Sequence, residues 1–395
     1  FLLAGAILLM SETGNAEFRG FDINSLYGQL IFIAFGIKAA FPLLNGWLQD
    51  SYPEASEIGT VALSTFTTKL AIFCFAKSFA GTEILIIIGA IMTFYPIFFA
   101  VIENDLRRVL TYSLNNQLGF MVVAIGIGTE LAINGAVAHA FAHILYKGLL
   151  FMGMGAVLYR VGTCKASELG GLFKFMPLTA ICTIIGAISI SAFPLFSGFV
   201  AKSLIMSALG KEGLVFVYFM LLFASAGVLH HSGIKIPFFA FFAHESGIKT
   251  KEAPLNMIIA MIIASALCIL IGVFPSYFYE ILPYQIQYQP YDFSHVVGQL
   301  QLLTFAAFAF ICLWHFKIYP PELNSTVLNS DWIYRKMIPG VILPILNLIS
   351  DINKKIELFI EFIFIFIKKF FANTMIKNKV FDREVGQDTL IVVQL

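Results

Sequence analysis

The chain has 395 residues, 59% of them hydrophobic and only 12% charged, where a soluble domain carries roughly 45–50% apolar and about 25% charged residues. So little polar surface cannot cover a water-soluble globule. At about 20 residues per crossing, the apolar mass bounds the chain at about eleven membrane-spanning helices. A net charge of +1 with no basic tract excludes a nucleic-acid partner. The five cysteines stand singly at 74, 164, 182, 268 and 312, without a CxxC pair or a nearby histidine, which excludes a disulfide framework or a metal centre.

In chain order, FLLAGAILLM at residues 1–10 reads as the interior of an apolar segment, with no basic region to make it a signal peptide. The chain thus reads as the continuation of something that began earlier. Nine full spans follow at 26–45, 57–76, 84–102, 110–128, 132–158, 178–208, 213–231, 255–274 and 299–318. Each is too long for a strand and none alternates, so all are predicted helices. Counting Lys and Arg in alternate loops orients them. The loops 46–56, 103–109, 159–177 and 232–254 hold eight (Arg107, Arg108, Arg160, Lys165, Lys174, Lys235, Lys249, Lys251) and the opposite loops two (Lys77, Lys211). The basic loops belong in the cytoplasm.

Beyond 318 the character changes. Residues 319–336, with a Pro-Pro pair, read as a linker. Residues 338–349 and 356–371 are apolar but short and interleaved with Lys and Glu, a pattern predicting amphipathic helices at the membrane interface. The mixed-charge tail 372–395 reads as mobile.

Ionisable residues within spans carry the functional signal, because each costs about 2.5–3.5 kcal/mol to insert. Lys38, Lys69 and Lys202 lie within spans, and one predicted helix holds His139, His143 and Lys147. Their i, i+4, i+8 spacing makes a single stripe about 12 Å long. Snorkelling to the interface is the competing reading, stronger for Lys69 and Lys202 than for Lys38 or the stripe. No Asp or Glu lies well inside the spans from 26 to 208.

A second signal is an internal repeat. Residues 40–47, AFPLLNGW, match 192–199, AFPLFSGF, and both interrupt an apolar helix. Proline cannot donate to the carbonyl four residues back, so Pro42 frees that of Lys38 and Pro194 that of Ile190. Gly46 and Gly198 complete the two breaks. Paired broken helices mark ion sites in transporters; packing kinks are the alternative.

GIKAAFPLLNGWLQDSYPEA (36–55), TTKL (67–70), ENDLRRVLTYSLNNQLGF (103–120), HAFAHILYKGLLF (139–151) and FPLFSGFVAK (193–202) together resemble the antiporter-like membrane subunit family. That family is shared by Mrp-type Na⁺/H⁺ antiporters and proton-pumping respiratory complex I. The resemblance covers about residues 20–275, and the DSYP segment with Lys69 and Lys202 is similar to the Mrp D-type subunit. It implies an all-α polytopic membrane protein of about nine full transmembrane helices and a partial first one, with two inverted repeats, each carrying a broken helix. The chain would divide into a remnant at 1–20, the end of the first repeat at 21–83, the second repeat at 84–254, further helices at 255–318, and a linker, interfacial helices and tail at 319–395. Lys38 and Lys69 would serve the first repeat, His139, His143 and Lys147 the connecting helix, and Lys202 the second broken helix. The family also places a glutamate, paired with the Lys38 equivalent, upstream of residue 1.

The function so implied is proton conduction within a multisubunit Na⁺/H⁺ antiporter in a bacterial inner membrane, alongside other hydrophobic subunits in the lipid bilayer and without a cofactor of its own. A pump subunit of complex I is the alternative; no GxGxxG or cysteine cluster is present, so its redox chemistry would sit on partners. A non-conducting scaffold is the reading from another class. No nucleophile–base or metal constellation suggests an enzyme.

Overall fold

The computed structural model describes residues 1–324, 327, 329 and 332–377. It divides into two compact units, Phe1–Asn329 and Ser330–Leu395. The named elements are all helices. In the first unit the longer ones are α1 Leu2–Thr13, α2 Leu26–Lys38, α3 Gly46–Glu54, α4 Glu57–Ser78, α5 Ile84–Ile102, α6 Leu106–Ile127, α7 Glu130–Val161, α8 Pro177–Ile190, α9 Ser197–Lys211, α10 Val215–Phe242, α11 Leu255–Val273 and α12 Phe293–His315, with short helical turns at Leu172–Lys174 and Pro275–Tyr279. In the second unit, a π turn at Ile333–Met337 leads into α13, Ile338–Lys377.

Helix ends follow local chemistry. The Ser25 and Ser56 hydroxyls accept from the amides of Gly28 (3.0 Å) and Gly59 (3.1 Å), and Asp105 accepts from those of Arg107 (2.8 Å) and Arg108 (3.1 Å). Each satisfies a donor that an α-helix start leaves free. α6 is the axis of the first unit: from Leu106 to Gly126 every side chain but Arg108 is buried. It approaches α5 backbone to backbone, since a Cβ on Gly119 would come within 2.6 Å of Gly89 O and Thr93 N. That approach brings the Asn115–Asn116–Gln117 edge of α6 into the interior, where polar groups must find partners.

Seven helices are long and apolar enough to cross a membrane by length and composition: α4, α5, α7, α10, α11, α12 and the segment Ile333–Phe370. The sequence predicts nine full spans, and three of those readings need correction. The segment 26–45 holds only α2, which ends at Lys38, with the break after it and α3 beginning at Gly46, and 178–208 is split by the second break into α8 and α9. The 110–128 helix exists, as α6, but Ser113, Asn115, Asn116 and Gln117 dilute its hydropathy. A further correction concerns the C-terminal region. Residues 338–349 and 356–371 are not two short helices but parts of one 40-residue helix. The intervening SDINKK lowers hydropathy without breaking the helix, because Lys is a good helix former. The tail from residue 378 lies outside the described residues.

Candidate functional site

Both breaks are built from the same backbone. Ala40 and Ala192 adopt left-handed φ values of 61° and 58°, and Leu43 and Leu195 of 68° and 74°. In the first, the Phe41 amide donates to Gly36 O (3.0 Å) and the Ala40 amide to Ile37 O (3.2 Å). In the second, Phe193 donates to Ile188 O (3.3 Å) and Ala192 to Ser189 O (3.0 Å). This is a Schellman ending with alanine where glycine is usual. Four non-glycine residues with positive φ, in two matched pairs, are strain of the kind that persists only where the surroundings fix it. The residue after the second break must be glycine: a Cβ on Gly198 would lie 1.8 Å from Ser189 O.

A Schellman ending leaves the last two helical carbonyls without amide partners. In the second break both find side chains. Lys202 Nζ donates to Ile190 O at 3.1 Å and Gln299 Nε2 to Ser191 O at 3.2 Å. The carbonyl that Pro194 leaves without an amide therefore holds the buried lysine. In the first break, Trp47 Nε1 donates to Ile37 O at 3.0 Å. Lys38, the last residue of α2, is exposed. Its Nζ lies 5.3 Å from the Trp47 ring centroid, in an open groove of about 390 Å³ lined also by Phe1, Leu2, Ala34 and Ile37.

Lys69 is buried on α4, just past a π turn at Leu63–Thr67. Its ammonium donates to Ser64 O and lies 3.4 Å from Thr68 Oγ1. The π turn packs against α7 where a Cβ on Gly148 would meet Thr65 Cγ2 at 3.3 Å, beside Lys147. On α7 the residues His139, His143 and Lys147 are all completely buried. Lys69 and Lys202 both lie within Coulombic range of Lys147.

A polar chain fixes the upper histidine. Asn116 Nδ2 donates to Thr93 O, and Gln117 Nε2 donates to Asn116 Oδ1 at 2.7 Å. Gln117 Oε1 therefore faces His139 Nε2 at 3.2 Å and accepts from the Tyr146 hydroxyl at 3.3 Å. Because Oε1 can only accept, this geometry assigns the proton to His139 Nε2. Among the described residues, His139 Nδ1, both His143 nitrogens and Lys147 Nζ have no protein hydrogen-bond partner. Phe120 joins the stripe to the second break: its ring stacks with His139 at 5.9 Å, and Lys202 Nζ lies 5.0 Å from its centroid. The structure thus gathers Lys69, the stripe and Lys202 in one interior, and leaves Lys38 at its edge. Among the described residues, none of these lysines forms an ion pair with an acid.

Sequence reasoning missed the amides and tyrosine that orient the stripe, because Asn, Gln and Tyr carry no charge to draw attention. It also misplaced Lys235, counted as a loop residue. α10 runs through to Phe242, with π turns at Leu229–Ile234 and Phe238–Phe242, and Lys235 is wholly buried within it. Its ammonium pairs with Glu322 at 3.0 Å and donates to the carbonyls of Val101 (2.7 Å) and Glu103 (2.6 Å), at the end of α5. Burial raises the Glu322 carboxyl above the ordinary carboxylate range, against the pull of Lys235. His231, also buried, bonds through Nδ1 to Ser232 Oγ, which donates to Ser113 Oγ, both at 2.8 Å. The usable signal was the apolar IPFFAFF following HHSGIK. Removing Lys235 from the loop count leaves seven basic residues against two.

The sequence profile of the family described as "NADH:quinone oxidoreductase/Mrp antiporter, TM" matches residues 1–226. The D component of the Na(+)/H(+) antiporter of Alkalihalophilus pseudofirmus is 34% identical over 221 residues, covering 52% of this chain and 44% of that protein. The NADH-ubiquinone oxidoreductase chain 5 of Dictyostelium discoideum is 26% identical over 354 residues, covering 83% of this chain and 48% of that one. The chain spans about half the length of such curated relatives. A protein in the structure of the Mrp complex from Dietzia sp. DQ12-45-1b superposes with a TM-score of 0.63 at 21% identity, over 81% of this chain and 67% of its own, a likeness of fold. With a family match over more than half its length, on the helices that hold both breaks and the buried stripe, this chain belongs to the NADH:quinone oxidoreductase/Mrp antiporter transmembrane family and is an integral, multi-pass membrane protein.

Proposed function

We propose that the chain conducts protons as one subunit of a multisubunit monovalent-cation/proton antiporter, with Na⁺ as the exchanged ion, in a bacterial inner membrane. The carrying observation is the run of buried bases without acidic partners: Lys69, then Lys147, His143 and His139 on one face of α7, then Phe120 and Lys202 on the Ile190 carbonyl. Amines and imidazoles are groups that can both take up and release a proton. A proton shifted along the stripe passes its charge between the two breaks, with Lys38 as the terminus on the first side. The likeness to the D component of a Na(+)/H(+) antiporter supports this reading. The C-terminal helix lies along the bilayer surface: its 40 residues reach about 60 Å, twice the hydrocarbon thickness.

The test is proton-coupled cation transport in vesicles holding the intact assembly. Replacing Lys38 or Lys202 by Ala should abolish it. Wild-type rates in either variant would remove that lysine from the path. A scaffold would instead tolerate Lys38, Lys147 and Lys202 all changed together.

A second reading, a redox-driven proton pump subunit, is favoured by the relative named as NADH-ubiquinone oxidoreductase chain 5, whose match extends over 83% of this chain. The proton path is the same in both readings. Purification of the native assembly separates them, because flavin and iron–sulfur subunits would accompany a pump and only small hydrophobic subunits an antiporter.

A further inference from the structure

Lys202 does not face protein alone. It lines a cavity of about 340 Å³ together with Phe120, Ala192, Ser203, His295 and Gln299. Further lining comes from the first half of α10 and the first turns of α12, nearest the connections 212–214 and 280–292. Those connections lie on the side away from the basic loops. At the outer end stands a partly exposed pair: His295 Nδ1 lies 2.8 Å from Asp292 Oδ2, with side chains 34% and 50% exposed. Neither residue stands out in the sequence.

The pair is built. Asp292 caps α12 through the His295 amide, its Oδ1 accepting at 2.8 Å, while its other oxygen faces the ring of the same residue. The backbone bond from His295 holds the Asp292 carboxyl below the ordinary carboxylate range. A carboxylate at Nδ1 fixes the proton there and leaves Nε2 as the acceptor. Nε2 lies 3.3 Å from Ser207 Oγ, which in turn lies 2.8 Å from the Tyr288 hydroxyl. Ser207 is five residues beyond Lys202 on α9, about 7.5 Å along the helix. One cavity therefore holds a buried amine at its inner end and, at its outer end, an imidazole whose Nε2 lone pair meets a hydroxyl.

We propose that His295, supported by Asp292, is the proton port of this cavity, exchanging protons between Lys202 and the side of the membrane opposite the basic loops. This rests on the reading of Lys202 as a proton carrier. In the outward step the Lys202 N–H bond breaks and leaves a neutral amine. His295 Nε2 gains the proton and becomes an imidazolium beside the Asp292 carboxylate, then releases it to solvent. The reverse step reloads the amine. His295 contacts Ser207 of α9, Tyr288 of the preceding loop and Asp292 of its own cap, and it shares the cavity with Lys202 of α9 and Tyr218 of α10, so Lys202 and Asp292 are the charged groups of this cavity and its rim.

Two measurements on the intact assembly test the port. First, Ser203→Cys, compared with the unaltered chain as labelling baseline, should react with a membrane-impermeant thiol reagent added on the side away from the basic loops at least about tenfold faster than from the other. Equal or reversed labelling, or none, overturns the port. Second, His295→Gln should lower proton-coupled transport by about 100-fold, the scale of a lost acid–base group. Asp292→Asn should lower it less and move its pH profile. Wild-type rate and pH profile in His295→Gln overturn the proposal. Lys202→Ala keeps the two ideas apart, since it should stop transport while leaving Ser203→Cys labelling unchanged. Normal transport in Lys202→Ala would instead fault the relay itself.

Discussion

The two helix breaks invite comparison because their backbones coincide while their lysines do not. Aligned on the repeated AFPL, the residue matching Lys38 is Ile190 and the residue matching Lys202 is Asp50. One lysine thus ends the helix before its break, and the other opens the helix after it. The consequence is electrostatic. Lys202 folds back onto a carbonyl of its own break and is 4% exposed, whereas Lys38 points outward over Trp47. Repetition kept the hinge and left the charge free to move to either side of it.

The comparison can be broken in several places. Lys202→Ala should cut proton-coupled transport by about 100-fold or more; an effect smaller than that of Lys38→Ala would invert the assignment of the buried lysine as the more constrained carrier. Gly198→Ala should cost about 3 kcal/mol of stability or more, since Ser189 O occupies the place of the new methyl. Thermal unfolding in detergent reads that out, and a neutral result would mean the break is looser than its repeat. Lys202→Met, by leaving Ile190 O without a partner, should cost about 1–3 kcal/mol, while Lys38→Met should stay within about 0.5 kcal/mol, as exposed positions do. Trp47→Phe removes the bond to Ile37 O and should cost about 1 kcal/mol. The smallest effect is the most symmetrical. Ala40→Gly and Ala192→Gly should each stabilise by about 0.5–1 kcal/mol, because glycine takes positive φ without strain. Unequal gains would show that the two backbones are not equivalent.

Much of this was legible in the sequence because a break needs few residues and they must be particular ones. The repeated AFPL with its proline and following Gly announced both hinges, and the i, i+4, i+8 spacing of His139, His143 and Lys147 announced the stripe. What stayed hidden depended on contacts between distant segments. Gln117 orients His139 from another helix, Glu322 meets Lys235 from far along the chain, and His295 reaches the Lys202 cavity from α12. Nothing local marks such partners. Hydropathy misleads in a related way. A polar stretch such as HHSGIK reads as a loop, yet inside a bundle a helix can carry buried polar groups wherever a neighbour answers them. The opposite error shortens α13, where charge mimics a helix boundary.

The stripe on α7 has one more property. The rings of His139 and His143 lie 6.3 Å apart, and neither has a carboxylate beside it. Two positive charges at that separation repel by about 3 kcal/mol at an effective dielectric constant of about 20. Double occupancy is then disfavoured by about 100-fold. On the proposed proton path the helix would therefore work as a single-file line: a charge arriving at one end would have to wait for, or push out, the charge already there. Traffic across the middle of the protein would be metered by mutual exclusion, with no moving gate required.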